Sequence, residues 1–204
     1  MNIKSRNIYL IYLLLYFSLL AGFYLNEDFS LGSRVDYFQH KISVAMFEKD
    51  FMKTLLSFGE EPTSHSPIFY IFFLFLKKVS FNENIARLIN LHLSLFIPYF
   101  FYLCLRLKYN FHRTNLKSLI PCIIFLSPYF RAGAIWIGSE NISLLFLIIS
   151  FYFFLKYEFD KEKNFSNIFL NVLFLACAAY FRPIYAIFSI YFFLRFYLDL
   201  KLSN

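Results

Sequence analysis

The chain has 204 residues, of which 59% are hydrophobic and only 16% are charged. This apolar fraction is above the roughly 45–50% of soluble domains, so an ordinary soluble protein is excluded and a single, all-α transmembrane domain over residues 1–204 is predicted. The net charge of +7 would indicate nucleic-acid binding in a soluble domain. Here the basic residues flank apolar segments, so the positive-inside rule accounts for them and nucleic acid is not an expected partner.

Seven apolar runs follow one another along the chain, and the first is interpreted as a retained membrane anchor. The runs are Ile8–Leu25, Ile68–Leu76, Leu88–Leu105, Leu119–Phe130, Ile142–Tyr157, Ile168–Phe181 and Ile184–Leu200. A helix that crosses a bilayer needs about 20 residues, and Ile68–Leu76 has about half that length. A run this short is typical of an interfacial or re-entrant segment.

The topology depends on whether this short segment crosses the membrane, and the positive-inside rule decides between the two cases. If Ile68–Leu76 does not cross, the basic residues of two loops and of the C-terminal tail join the N-terminus on the inside. Apart from the long first loop, only Arg131 and Arg182 then lie outside. The rule therefore predicts about six spans, both termini in the cytoplasm and a first external loop over about residues 26–87.

This topology collects most of the polar residues of interest at the external face of the membrane. They are Asp28, Asp36, His40, His65, Arg131, Glu140 and Arg182. Arg131 and Arg182 break the pattern of basic residues on the inside, and charges at the membrane edge that do so are functional candidates.

The first loop contains a predicted amphipathic helix from Arg34 to Phe58. Apolar residues recur there at steps of three and four, namely Val35, Phe38, Ile42, Ala45, Met46, Met52, Leu55 and Leu56. Asp36 and His40 are four residues apart on the opposite, polar face. We expect this juxtamembrane helix to lie flat in the interface with its apolar side toward the lipid.

Several of these residues also have a purely structural interpretation. Asp36 could be a solvated charge at the start of a helix, and Glu140 with Asn141 could cap the fourth span. Arg87 could be an interfacial anchor. For Trp136, the only tryptophan, an interfacial anchor is favoured over a role in stacking against a substrate.

The order of several short motifs resembles a known family. The motifs are Asp36-Tyr37, His65-Ser66-Pro67, Ala86-Arg87-Leu88, Leu126-Ser127-Pro128-Tyr129-Phe130-Arg131, Ile135-Trp136, Glu140 and Tyr180-Phe181-Arg182-Pro183. They are similar to those of the C-type glycosyltransferases, the GT-C superfamily, and especially to a bacterial branch of it. These polytopic enzymes take sugars from polyprenyl-phosphate carriers.

The resemblance implies that the chain is a glycosyltransferase at the external face of a bacterial inner (plasma) membrane. Its donor would be a polyprenyl-phosphate sugar, and its acceptor a glycan, a lipid or a protein. The resemblance makes Asp36 the first choice of general base, with Asp28 and Glu27 as competitors. Glu140 occupies the second external acidic position of the family, and these carboxylates are the predicted catalytic residues.

The resemblance also implies that basic residues bind the donor phosphate. Arg131 and Arg182 are the predicted phosphate holders, because a planar guanidinium matches phosphate oxygens. His40, His65 and Arg87 complete the predicted substrate-binding set.

The chain departs from the family in two respects. Asp36 is followed by Tyr37 instead of a second acidic residue, and the chain ends soon after the sixth predicted span, as a truncated product or a minimal module would. A non-catalytic membrane subunit, and a polysaccharide polymerase or flippase, remain as alternatives. No cofactor or metal cluster is predicted, although a carboxylate pair could bind Mg²⁺.

Overall fold

The computed structural model describes residues 5–29, 32–60, 65–80, 82–109, 116–159 and 163–203. Within these ranges the chain forms helices and no strand, so the predicted all-α class is confirmed. The α-helices are α1 (Ser5–Tyr24), α2 (Ser33–Lys49), α3 (Phe51–Leu56), α4 (Pro67–Val79), α5 (Glu83–Ser94), α6 (Phe96–Tyr109), α7 (Pro128–Trp136), α8 (Ser139–Phe159), α9 (Phe165–Phe181) and α10 (Phe188–Ser203). Short 3₁₀ segments cover Phe58–Glu60, Leu116–Leu126 and Pro183–Ile187.

Three helical stretches of the described chain are long and apolar enough to cross a membrane. They are Asn7–Tyr24 in α1, the 27-residue stretch Glu83–Tyr109 formed by α5 and α6, and Ser139–Phe159, which is α8. A fourth is added if the bent pair described next counts as one span. Helices α9 and α10 are shorter, with 17 and 16 residues. The membrane character is therefore supported, and the count by length and composition is three or four.

Prolines shape two of the predicted spans. The predicted run Leu119–Phe130 is not one straight helix, because its 3₁₀ portion and α7 meet at a bend of 70°. Pro121 lies inside the 3₁₀ portion and Pro128 opens α7, and neither has the backbone N–H that a continuous helix requires. In a continuous helix the ring of Pro98 would clash with the carbonyl of Ser94, one turn earlier, and α5 ends at Ser94.

The predicted helix from Arg34 to Phe58 is two helices, which corrects the sequence prediction. Asp50 lies between them in an extended conformation, with φ −153° and ψ 95°. Its carboxylate accepts a hydrogen bond of 3.0 Å from the backbone N–H of Lys53 and so caps α3. An aspartate in this position competes for the helical N–H groups and starts a new helix.

The face of the first-loop helix α2 that packs inside the protein is not the apolar face that is predicted from the sequence to contact lipid. Tyr37, His40, Val44 and Phe47 are buried, whereas Val35, Phe38, Ile42 and Met46 are exposed. The buried face packs on α4, where the ring centroids of Tyr37 and Phe73 are 5.3 Å apart. Helix α4, with 13 residues, is about 20 Å long, too short to span a bilayer, and it forms much of the core.

The antiparallel pair α8–α9 determines which ends of the chain meet. Asn171 of α9 donates to the backbone oxygen of Ser150 at 2.9 Å, and the Ser150 hydroxyl donates to the backbone oxygen of Asn171 at 2.9 Å. Ser139 precedes Ser150 by as many positions as Arg182 follows Asn171. Because the helices run in opposite directions, this pairing brings Arg182 next to Ser139.

Candidate functional site

Polar side chains from four separate parts of the chain meet at this end of the α8–α9 pair. Asp36 and His40 come from α2, and His65 immediately precedes α4. Ser139 and Glu140 lie in the first turn of α8, and Arg182 follows α9. We call these six residues the polar cluster. It contains five of the eight residues that the sequence predicted for the site, together with Ser139, which was not predicted.

Ser139 connects two of the cluster's side chains. The Nε atom of Arg182 donates to the Ser139 oxygen at 3.0 Å, and the Nδ1 atom of His65 lies 3.3 Å from the same oxygen. With the imidazole proton on Nε2, the serine hydroxyl donates to Nδ1 while its oxygen accepts from the arginine. Ser139 is only 1% exposed, so these contacts are made away from water.

Arg182 also forms an ion pair with Glu140. Glu140 is in the first turn of α8, where a carboxylate is favoured by the helix dipole. Its side chain is 56% exposed, against 32% for that of Arg182. The carboxylate therefore lies at the open side of the cluster.

The two histidines of the cluster are in ring contact and are neutral at neutral pH. Their ring centroids are 4.7 Å apart, and the His40 ring also packs against Phe69 at 4.9 Å. Burial, assisted by His65 and Arg182, lowers the pKa of His40 to about 4. Burial and Arg182 also lower the pKa of His65, although the Asp36 carboxylate opposes the shift.

Arg182 is the cation of the polar cluster. Burial lowers the pKa of its guanidinium, and Tyr185 and Asp36 counteract that effect. An arginine remains protonated at neutral pH even after a moderate shift. Asp36, by contrast, is exposed on α2 and lies close enough to act electrostatically on both His65 and Arg182.

A tight turn positions Ser139 and Glu140. Ile137 has φ 56° and ψ 61°, a left-handed conformation that is unfavourable for a β-branched residue by about 1–3 kcal/mol. The next residue, Gly138, donates its N–H to the Gly133 oxygen at 2.9 Å. A Cβ atom at Gly138 would lie 2.7 Å from Glu140 Oε2 and 3.0 Å from the Gly133 Cα. Strain of this kind concentrates at functional sites.

Arg131 lies in a separate ion pair with Glu27. Its Nε and Nη2 atoms donate to the two carboxylate oxygens of Glu27 at 2.5 and 2.6 Å, and Nη2 also donates to the backbone oxygen of Ser18. The two side chains are only 14% and 8% exposed. The structure thus commits Arg131 and Glu27 to each other and links the end of α1 to α7, which leaves neither as well placed for substrate as Arg182 and Asp36.

Arg87 and Asp28 also lie outside the polar cluster. Arg87 donates to the backbone oxygen of Ile135 at 3.0 Å, and its guanidinium carbon is 3.8 Å from the ring centroid of Trp136. Trp136 is 3% exposed and donates to the backbone oxygen of Glu27 at 2.8 Å, so it is a buried packing residue and not an interfacial anchor. The carboxylate of Asp28 accepts from the backbone N–H of Arg34 at 3.1 Å, near the start of α2.

Nothing in the described chain gathers ligands around a metal ion. No group of three or more His, Cys, Asp or Glu side chains within these ranges could hold one. The carboxylate of Glu140 is paired with Arg182, which makes the cluster a poor fit for Mg²⁺.

The fold and the cluster define a class of protein: an all-helical protein with at least three helices that could cross a membrane and a polar cluster at one end of a helix pair. No protein-family model matches the chain, and no curated protein or solved structure is similar enough to it to count as a match. The resemblance to the GT-C superfamily therefore rests on the sequence motifs alone.

Proposed function

We propose that the protein is a membrane glycosyltransferase of the GT-C type. It transfers a sugar from a polyprenyl-phosphate carrier to a hydroxyl group of a glycan, a lipid or a protein. The observation that carries this proposal is the convergence of an exposed carboxylate, Asp36, and a guanidinium, Arg182, in one polar cluster. This reaction needs one base and one cation for the departing phosphate.

In the proposed reaction Asp36 is the general base. The acceptor hydroxyl attacks the anomeric carbon of the donor, and Asp36 takes the hydroxyl proton as the new C–O bond forms. The bond between the anomeric carbon and the phosphate oxygen breaks, and its electron pair leaves with the polyprenyl phosphate. A single displacement of this kind inverts the anomeric centre and requires one carboxylate, unlike the pair used by hydrolases.

Arg182 binds the phosphate and stabilises the negative charge that develops on it. The phosphate competes with Glu140 for the guanidinium, because Glu140 is the more exposed partner of the ion pair. The Ser139 hydroxyl holds Arg182 by its Nε atom, which leaves the other guanidinium nitrogens to bind the donor. His65 is neutral and acts as a hydrogen-bonding group.

The proposed membrane arrangement has six spans, with both termini in the cytoplasm and the cluster outside, in a bacterial inner membrane. The spans are α1, α5 with α6, the bent pair ending in α7, α8, α9, and the final 3₁₀ segment with α10. The polar cluster supports this topology, because its members come from segments that the six-span arrangement puts on one side of the membrane. A 17-residue helix such as α9 is at the lower end of the about 17–25 residues that suffice for a span.

The test of the proposal is the variant Asp36→Asn, which keeps the shape of the side chain and removes the base. Membranes that contain the variant should lose transfer from radiolabelled polyprenyl-phosphate sugars by about 100-fold or more, with unchanged protein level. Asp50→Asn is the matched control, since Asp50 is an exposed aspartate of the same loop that caps α3. Unchanged transfer in Asp36→Asn would overturn the assignment of the base, and the absence of transfer in the wild type would favour a non-catalytic subunit.

A further inference from the structure

A polar cavity lies apart from the polar cluster, between the C-terminal end of α1 and the N-terminal end of α5. It has a volume of about 250 Å³. Three asparagines, Asn26, Asn82 and Asn84, line it together with Arg87 and Phe23. This is smaller than the about 300–1,000 Å³ of drug-sized ligand sites, so the cavity suits a small polar group.

Arg87 is a buried cation that no carboxylate contacts directly in the part of the chain that the structure describes. It is 5% exposed, and no carboxylate of these ranges forms a salt bridge with it. Its hydrogen bonds go to neutral oxygens, those of Ile135 and of the Asn26 amide. Burying a charge is costly unless it is paired, which indicates that an anion belongs beside this guanidinium.

The charges around the cavity agree with an anionic ligand. Glu83, one turn from Arg87, acts on it electrostatically, but its carboxylate is shared with a second cation, since it accepts from Lys41 at 2.7 Å. Arg34 does not line the cavity, but it adds a second guanidinium nearby, at 5.5 Å from the centroid of the Trp136 ring that Arg87 also contacts. The cavity also borders the N-terminus of α5, a 12-residue helix whose dipole favours negative charge.

The position of the cavity indicates where the anion comes from. The candidate span of α1 ends at Tyr24, and that of α5 and α6 begins at Glu83. The cavity therefore lies where two candidate spans leave the apolar layer, at the depth of lipid headgroups. A guanidinium at this depth can bind a phosphate headgroup, because its planar fork of N–H donors matches phosphate oxygens.

We propose that this cavity binds a phosphate group, with Arg87 supplying the charge and the amides of Asn82 and Asn84 supplying further hydrogen bonds. The phosphate belongs either to the headgroup of a bilayer lipid or to a small soluble phosphate compound. The site is separate from Arg182 and does not rest on the glycosyltransferase function, so either proposal can fail without the other.

The protein provides its own probe for this site. Trp136 is the only tryptophan of the chain, and the Arg87 guanidinium lies 3.8 Å from its ring centroid. Tryptophan emission of the purified protein in dodecyl maltoside, a detergent without phosphate, therefore reports on ligands at Arg87. The titrants are dihexanoyl phosphatidic acid, inorganic phosphate, and dihexanoylglycerol as the lipid without phosphate.

Phosphatidic acid should change the emission in a saturable way, and dihexanoylglycerol should not. Arg87→Gln should weaken this binding at least tenfold, whereas Arg106→Gln, an exposed arginine in the last turn of α6, should leave it unchanged. Binding of inorganic phosphate at similar concentrations assigns the site to soluble phosphates, and binding of phosphatidic acid alone assigns it to headgroups.

A second pair of variants covers the case in which Arg87→Gln does not fold. Asn84→Asp leaves the bonds of Arg87 intact and puts a negative charge on the cavity wall, so it should also weaken binding at least tenfold. Asn84→Gln keeps the amide and should stay within about threefold of the wild type. The proposal is wrong if the wild type shows no saturable change with either phosphate ligand, or if Asn84→Asp binds as the wild type does.

Discussion

The Nε atom of Arg182 donates a hydrogen bond of 3.0 Å to the hydroxyl oxygen of Ser139, 43 residues earlier in the chain. The same oxygen lies 3.3 Å from His65 Nδ1, so one buried hydroxyl links the arginine after α9 to the histidine before α4. The orientation of the Arg182 guanidinium thus depends on the uncharged side chain of Ser139.

Removing this hydroxyl should weaken the proposed sugar transfer without unfolding the protein. A hydrogen bond to a charged group contributes about 1.5–3 kcal/mol, so Ser139→Ala should lower the rate of transfer roughly tenfold or more. The measurement is transfer of radiolabelled sugar by purified protein at varied donor concentration. Ser143→Ala is the control, because the Ser143 hydroxyl donates to the backbone oxygen of Glu140 within its own helix. Equal activity of the two variants would contradict the linking role of Ser139.

The Glu27–Arg131 pair should contribute to stability and not to transfer. Glu27→Gln leaves a largely buried guanidinium unpaired, and breaking a buried pair in this way costs about 3–5 kcal/mol. Its thermal unfolding midpoint in detergent should fall markedly, and the double variant Glu27→Gln with Arg131→Gln should recover part of the loss.

An exposed pair serves as the comparison. The Lys163–Asp199 side chains are 50% and 26% exposed, so Asp199→Asn should change stability by less than about 1 kcal/mol. If Arg131→Gln abolished transfer at unchanged unfolding midpoint, Arg131 would instead be a phosphate-binding residue, as the sequence predicted.

Stability should fall in mild acid because His40 is buried in its neutral form. Its pKa is about 4 in the folded chain and about 6.5 when unfolded, so the unfolded chain takes up its proton first as the pH falls. The contribution of neutral His40 to the free energy of unfolding is therefore fully present above about pH 6.5. It is lost as the pH falls toward 4, by roughly 3 kcal/mol once His40 is protonated in both states. His65, whose pKa is lowered too, contributes in the same direction.

Unfolding midpoints at pH 7.5 and 4.5 test this prediction. The variant His40→Phe, which fits a site lined by Phe69 and Tyr70, should show a smaller difference between the two pH values. His92→Gln is the control, because it changes an exposed histidine and leaves His40 and His65 in place. The same acid response in His40→Phe and in the wild type would contradict the prediction.

The proposed topology predicts opposite accessibility for two exposed positions. A cysteine in place of Gly59, in the first loop, should react in intact cells with a membrane-impermeant maleimide. A cysteine in place of Lys108, near the end of α6, should react only after the cells are opened. The three native cysteines, of which Cys104 and Cys122 are buried, should first be replaced by alanine. Labelling of Lys108→Cys from outside would overturn the six-span arrangement.

The sequence by itself determined the helical membrane class and most of the site's candidate residues. Apolar runs and the positions of charged residues are local properties, so the ends of α1, α8 and α9 and the polar residues between them could be predicted. Asp36, His40, His65, Glu140 and Arg182 were all assigned to one face in this way. The structure brings these five together.

Only the tertiary structure decided how the charged residues are paired and which face of α2 is buried. Arg131 and Arg182 are equivalent in the sequence pattern, yet one is paired with Glu27 in the interior and the other with an exposed Glu140. Nothing in the sequence marked Ser139 as a site residue except its position directly before Glu140. In α2 the exposed face and the buried face are both apolar. Hydrophobic periodicity shows that a face avoids water, but it cannot distinguish a face that contacts lipid from one that packs on α4, because both surroundings are apolar.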